Sequence, residues 1–200
     1  YEPCTMEQVK AYKPETNSVC SGQVLHCPYD FDKAKLVVKE MTDLMTLDLV
    51  DKRLVTDQIV LTVGYDIENL TDPDRYRKYK GSVTIDRYGR KVPKHAHGTT
   101  NLKRKTSSTM LITNAVMELY DRIVDESFSK EEETYEQLDL FTDYTVKEQE
   151  QAEEEAVLER EKRMQQTMLT IKKKFGKNAI LKGMNLQEGA TAKDRNEQIG

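Results

Sequence analysis

Residues 75–105 read RYRKYKGSVTIDRYGRKVPKHAHGTTNLKRK and form a strongly basic stretch. They include eleven lysines and arginines and a single acid, Asp86, so the net charge of the stretch is +10. Aromatic, small polar and β-branched residues run between the charges, which favours extended strands over a disordered basic arm. Such a surface suits the phosphates of a nucleic acid. The alternative is a solvated hairpin whose charges only maintain solubility.

The composition predicts one packed region and one poorly buried tail. Only 37% of the 200 residues are hydrophobic and tryptophan is absent, which is little for a chain packed throughout. The net charge of −4 conceals an asymmetry, because residues 126–160 contain thirteen acids and three cations. The acidic tail therefore masks the basic stretch in the overall charge.

The cysteines give no sign of a disulfide framework. Cys4, Cys20 and Cys27 are odd in number and form no CxxC pair, so we expect a reducing, cytoplasmic location. We expect no zinc site either, because Cys20, Cys27, His95 and His97 match no usual ligand spacing. No apolar run approaches the roughly 18 residues of a membrane span, so no membrane partner is expected.

Periodicity predicts a strand and a helix in the first third of the chain. Residues 18–29 alternate as a strand does, and Pro28 ends the pattern. Asp30 or Asp32 can cap the helix that follows. The apolar face of this helix comprises Ala34, Val37, Met41, Leu44 and Met45.

A second alternating run occupies residues 55–65, with one face made of Ile59, Leu61, Val63 and Tyr65. Residues 66–74 are typical of a loop, in which paired acids serve as turn residues. A strand is expected from about residue 95 to 105. Thr106, Ser107 and Ser108 are natural N-caps for an amphipathic helix whose apolar residues are Ile112, Ala115, Val116, Leu119, Tyr120 and Ile123.

These elements predict an α+β fold of order strand–helix–strand–strand–helix. Two helices on one face of an antiparallel sheet would leave the other face free for the cations. The acidic segment 130–161 is expected to be flexible or loosely helical. Met164, Met168, Ile171 and Phe175 are spaced for a short helix that folds back on the domain, since a coiled coil needs more heptads.

The segment QLDLFTDY at residues 137–144 places apolar residues in a polar run. Isolated apolar anchors in such a tail indicate a short peptide that docks into a partner's pocket.

Several long stretches resemble one protein family. SVCSGQVLHCPYDF, LTVGYDIENL, GSVTIDRYGRKVPKHAHGTTNL and KKFGKNAILKGMNLQEGATAKDRNEQIG are similar to the C-terminal part of UmuC-type, ImpB/MucB/SamB-like Y-family translesion DNA polymerases. The resemblance implies a linker at 1–17, a little-finger DNA-binding domain at 18–125 and a tail at 126–200. It also implies a peptide for the bacterial sliding clamp, made of Gln137, Leu138, Asp139, Leu140 and Phe141.

In this interpretation the basic stretch holds the phosphates of a template–primer duplex without reading base edges. Such a grip tolerates damaged bases, while the clamp peptide raises the local concentration of the enzyme. The expected DNA contacts are Lys80, Arg87, Arg90, Lys91, Lys94, Lys103, Arg104, Lys105, Ser107 and Ser108.

The chain departs from the family in two respects. The polymerase carboxylates that hold Mg²⁺ belong to a palm domain expected before Tyr1, so we expect neither a cofactor nor polymerase activity in this chain alone. Where the family carries a further strand, DESFS runs directly into KEEE. A different class also fits, namely an interaction or regulatory protein whose acidic tail binds a partner or its own basic face.

Overall fold

The computed structural model describes residues 5–12, 18–124 and 144–197. Within these ranges the fold is α+β, which confirms the predicted class. The helices are α1 (Met6–Ala11), α2 (Phe31–Asp51), α3 (Glu68–Thr71), α4 (Pro73–Lys78), α5 (Thr109–Val124), α6 (Tyr144–Phe175) and α7 (Ala192–Glu197), with a 3₁₀ helix at Gly183–Leu186. The strands are β1 (Thr56–Val63), β2 (Val83–Ile85), β3 (Lys91–Pro93) and β4 (Ala96–Thr106).

The core lies between the β1–β4 pair and two helices. β1 and β4 are antiparallel, and the apolar residues Ile59, Leu61 and Val63 of β1 pack against core clusters that α2 and α5 contribute to. The two helices therefore cover the same face of the pair, as the alternation in β1 predicts. Asp30 caps α2 through the backbone N–H of Lys33 at 2.8 Å.

The predicted strand at residues 18–29 is wrong, because this stretch forms no ladder with the described strands. Side chains hold it instead. Val19 packs against the core, and Gln23 Oε1 accepts a hydrogen bond from Arg195 Nη1 at 2.6 Å. Val24 is 93% exposed. An alternating sequence forms a strand only where the edge of a neighbouring strand offers backbone hydrogen-bond partners. Here the C-terminal segment, residues 176–197, supplies a side-chain partner instead.

Residues 66–78 also differ from expectation, since α3 and α4 replace most of the predicted loop. The Asp72 carboxylate accepts the backbone N–H groups of Asp74 and Arg75, both at 2.9 Å, and Pro73 occupies the first turn. This is a favourable helix start. Asp72 is thus a capping residue, and the beginning of the basic stretch is helical.

The C-terminal segment packs along the polar side of α2. Glu40 is fully buried and accepts hydrogen bonds from Asn185 Nδ2 and from the backbone N–H of Thr191, each at 2.7 Å. Lys182 forms an ion pair with Asp43. A helix face that looks solvent-exposed in sequence is therefore interior.

The helix α6 folds back on the domain, as its sequence predicts. Gln165 and Met168 are buried, whereas Met164 and Phe175 remain exposed. Only part of the predicted apolar seam is thus used for packing. Among the residues that the structure describes, no helix combines the length and the apolar character needed to cross a membrane.

Candidate nucleic-acid interface

Eight exposed cations of the basic stretch, the lysines and arginines expected to contact DNA, fall into two clusters, while the exposed Arg75 and Arg77 lie on α4. The hairpin cluster lies on and beside the β2–β3 hairpin, and the bulge cluster lies near the end of β4. Their side chains are exposed in both places. The hairpin cluster comprises Lys80, Arg87, Arg90, Lys91 and Lys94, and the bulge cluster comprises Lys103, Arg104 and Lys105.

The turn of the hairpin is ordered by Asp86. Its Oδ1 accepts the backbone N–H groups of Tyr88 at 2.8 Å and Arg90 at 2.9 Å, and its Oδ2 accepts from Arg90 Nε at 2.8 Å. Gly89 has a φ of 77°, a conformation that favours glycine. The backbone N–H of Arg90 is the largest cause that lowers the pKa of Asp86, followed by the Arg90 side chain. The carboxylate thus positions both the turn and one cation.

An irregularity in β4 creates the bulge cluster. The register passes from Gln58 opposite Asn101 to Thr56 opposite Thr106, so β1 advances two positions while β4 advances five. The extra residues of β4 are released from regular pairing, and bulges of this kind redirect side chains. Three consecutive cations are exposed together as a result, where a regular strand would send neighbours to opposite faces.

An exposed face of the β1–β4 pair without lysine, arginine or acidic side chains separates the two clusters along the chain, because the hairpin cluster precedes Ala96 and the bulge cluster follows Asn101. Gln58 Nε2 donates to Asn101 Oδ1 at 3.2 Å, and Thr62 Oγ1 lies 2.8 Å from His97 Nδ1. The regular ladder from Ala96 to Asn101 spans roughly 17 Å at the usual strand rise. The exposed residues of this face are Gln58, Val60, Thr62, His97, Thr99 and Asn101.

Helix α6 contacts the bulge cluster directly. Arg104 Nη2 forms an ion pair with Glu154 Oε1 at 2.6 Å, and both side chains are about half exposed. Such an exposed pair is worth at most about 1 kcal/mol and weakens with salt. Arg104 is therefore partly neutralised by the tail, whereas Lys103 and Lys105 form no ion pair with another described residue.

Of the expected contacts, Ser108 is bound to α6 through its hydroxyl and Ser107 through its backbone carbonyl. Ser108 is buried and its Oγ donates to Glu161 Oε2 at 2.5 Å, while Ser107 O accepts from Gln165 Nε2 at 3.0 Å. The backbone N–H of Met110 donates to Glu161 Oε1 at 2.8 Å. Because free N–H groups and the helix dipole favour an anion at this end of α5, Glu161 occupies the position that a phosphate would take.

Glu154, Glu161 and Gln165 are residues that sequence reasoning did not assign to the site. In the sequence they belong to a glutamate- and glutamine-rich run, and their partners lie about fifty residues earlier. No local spacing links them to α5 or β4. Their role is visible only in the folded chain.

The predicted clamp peptide, Gln137 to Phe141, lies outside the described residues. The fold and the site together define an α+β protein with exposed cations on a β-hairpin and at the irregular end of β4. No protein-family model matches the chain, and no curated protein or solved structure matches it.

Proposed function

We propose that this chain is the DNA-binding and sliding-clamp-binding C-terminal part of an error-prone translesion DNA polymerase that acts in DNA damage repair and SOS mutagenesis. The observation that supports it best is the pair of exposed cation clusters beside an uncharged sheet face. Lysines and arginines that precede and follow that face in the chain can hold phosphates, while its amides and hydroxyls add neutral hydrogen bonds. The resemblance of the sequence to UmuC-type polymerases supports the same function.

Cations arranged in this way would bind the phosphate backbone of DNA. Lys91 and Lys103 are exposed on different clusters, so they can contact phosphates at separate points of a duplex. The regular β4 ladder from Ala96 to Asn101 spans roughly 17 Å, which is about half of one helical turn of duplex DNA. Binding is then insensitive to base identity, as a polymerase on damaged templates requires.

The salt dependence of duplex binding tests the DNA-binding part. Log affinity should fall with log salt concentration with a slope of several units, and Lys91→Glu with Lys103→Glu should flatten it. Lys10→Glu with Lys193→Glu is the matched control, because it makes the same charge change at exposed positions outside the clusters. An equal effect of both double variants would show only a general charge effect. No duplex binding at low salt would remove the proposal.

Clamp capture tests the second part. Leu140→Ala with Phe141→Ala removes the two apolar anchors of the peptide and should abolish capture by a bacterial sliding clamp. Duplex affinity should stay within about twofold, which makes DNA binding the internal control. Capture that survives the double substitution would eliminate this assignment.

A second candidate function rests on the contacts of α6. Glu154 pairs with Arg104, and Glu161 occupies the end of α5, so part of the basic surface is bound by the chain's own acidic helix. An interaction or regulatory protein with an acidic tail on its own basic face would show this arrangement. It would bind no duplex at low salt even after Glu154→Gln and Glu161→Gln, whereas the DNA-binding protein would bind more tightly.

A further inference from the structure

The tip of the hairpin presents an aromatic ring to solvent. Tyr88 is 67% exposed and follows Asp86 in a turn closed by the backbone bonds Gly89 N–H to Asp86 O at 3.0 Å and Asp86 N–H to Arg90 O at 2.9 Å. The Asp86 carboxylate also holds the backbone of Tyr88. The ring therefore projects from an ordered turn, so little backbone entropy opposes binding there.

Two guanidinium groups lie over this ring as cation–π partners. The guanidinium carbon of Arg87 lies 4.7 Å from the ring centroid of Tyr88, and that of Arg90 lies 5.3 Å away. Arg87 Nη2 also donates to the Tyr88 hydroxyl at 2.6 Å. An exposed aromatic ring in contact with planar cations is a combination that proteins use to stack nucleobases and neutralise the adjoining phosphates.

The strands of the hairpin also place an apolar side chain next to a cation. Ile85 is 68% exposed and lies directly opposite Lys91 in the β2–β3 register, so an apolar side chain and a cation stand side by side. Residues 80–94 hold five cations and one acid, and Arg90 neutralises that acid. A partner for this tip must therefore combine a flat apolar surface with negative charge.

We propose that Tyr88 is a stacking platform for an unpaired base of single-stranded DNA, with Arg87 and Arg90 as its adjoining cations. Bases inside a duplex are already stacked on one another, so the bases of single-stranded DNA offer far more free base faces to the ring. This inference rests on the proposed function and adds a second binding mode to it. The clusters hold duplex phosphates, and the hairpin tip holds a base of the unpaired strand.

The test compares single-stranded and duplex DNA with the full chain. The probes are an oligonucleotide that carries 2-aminopurine, whose fluorescence responds to stacking, and a blunt duplex of the same sequence. Tyr88→Ala should weaken single-strand binding about five- to 150-fold and remove the fluorescence change. Duplex affinity should change less than about twofold. Tyr88→Phe keeps the ring and should retain the wild-type behaviour.

Tyr12→Ala is the matched control, because Tyr12 is 74% exposed and lies outside the basic stretch. It should leave both probes unaffected. Unchanged single-strand binding by Tyr88→Ala, or an equal loss on duplex, would overturn the stacking role while leaving the proposed function intact. A wild-type chain that binds neither probe at low salt would remove both.

Discussion

The buried carboxylate of Glu40 accepts a hydrogen bond at 2.7 Å from the backbone N–H of Thr191, which lies 151 residues later in the chain. The same carboxylate accepts from the backbone N–H of Ala192 at 3.1 Å and from Asn185 Nδ2 at 2.7 Å. One side chain of α2 thus holds the 3₁₀ helix and the start of α7. The C-terminal segment is part of the packed domain because this carboxylate satisfies its backbone.

Glu40→Ala should lower the free energy of unfolding by about 2–4 kcal/mol, because the four donors that it accepts from would lose a buried acceptor. Urea denaturation of the full chain measures the effect. Glu118→Ala, at an exposed position of α5, is the control and should change stability by less than about 0.5 kcal/mol. Similar losses in the two variants would mean that the Glu40 contacts contribute nothing specific.

Gly98 allows α5 to approach β4 closely. A Cβ at this position would lie 2.6 Å from Ile123 Cγ2 and 2.9 Å from Leu119 Cδ1, and Leu119 is almost fully buried. Gly98→Ala should therefore destabilise the protein by about 1–3 kcal/mol through overpacking. Gly22→Ala is the matched control, since no atom lies within 4 Å of a Cβ there. Thermal unfolding of the two variants should separate them clearly, and equal melting temperatures would contradict the packing argument.

Removing the acid that pairs with Arg104 should strengthen DNA binding. Glu154→Gln frees the guanidinium for a phosphate, so the log–log salt slope should steepen by about 0.9. Glu159→Gln removes the same charge from an exposed position of α6 and controls for the general change in net charge. Fluorescence anisotropy across a salt series checks both variants. A slope that the control shifts just as far would show that Arg104 is not a phosphate contact.

The hairpin turn should lose order in acid. The backbone N–H and the side chain of Arg90 and the backbone N–H of Tyr88 lower the pKa of Asp86 below its ordinary value of about 3.9. Because the pKa is lower in the folded state, the stabilisation is complete above the ordinary value and is lost as the pH falls through the lowered one. An NMR titration of the Tyr88 and Arg90 amides measures the midpoint. Asp86→Asn should abolish this transition, and a midpoint at or above about 3.9 would contradict the assignment.

Local elements were predictable because their signals lie within a few residues. The Asp30 cap, the alternation of Ile59, Leu61 and Val63, and the apolar face of α5 all follow from neighbours in sequence. Ser108 is the cap of α5, as expected, since its Oγ accepts the backbone N–H of Leu111 at 3.2 Å. The concentration of cations in residues 75–105 was equally visible in the sequence.

The arrangement of those cations was decided by tertiary structure. A bulge exposes Lys103, Arg104 and Lys105 together, and α6 brings Glu154 and Glu161 against the same region. The strand predicted at residues 18–29 fails to form for a related reason, since its partners are side chains near the C-terminus.

By itself, then, the sequence determined α2, β1, β4 and α5 and where the positive charge lies, because propensity, capping and periodicity act over a few residues. It did not determine residues 18–29 and 66–74, whose predicted strand and loop the structure replaces. The folded chain decided which polar face of α2 is interior and which cations carry an acidic partner. These outcomes depend on groups 50 to 150 residues apart that meet only when the core is packed. Burial makes such long-range partners necessary, because a polar group inside the core must be hydrogen-bonded.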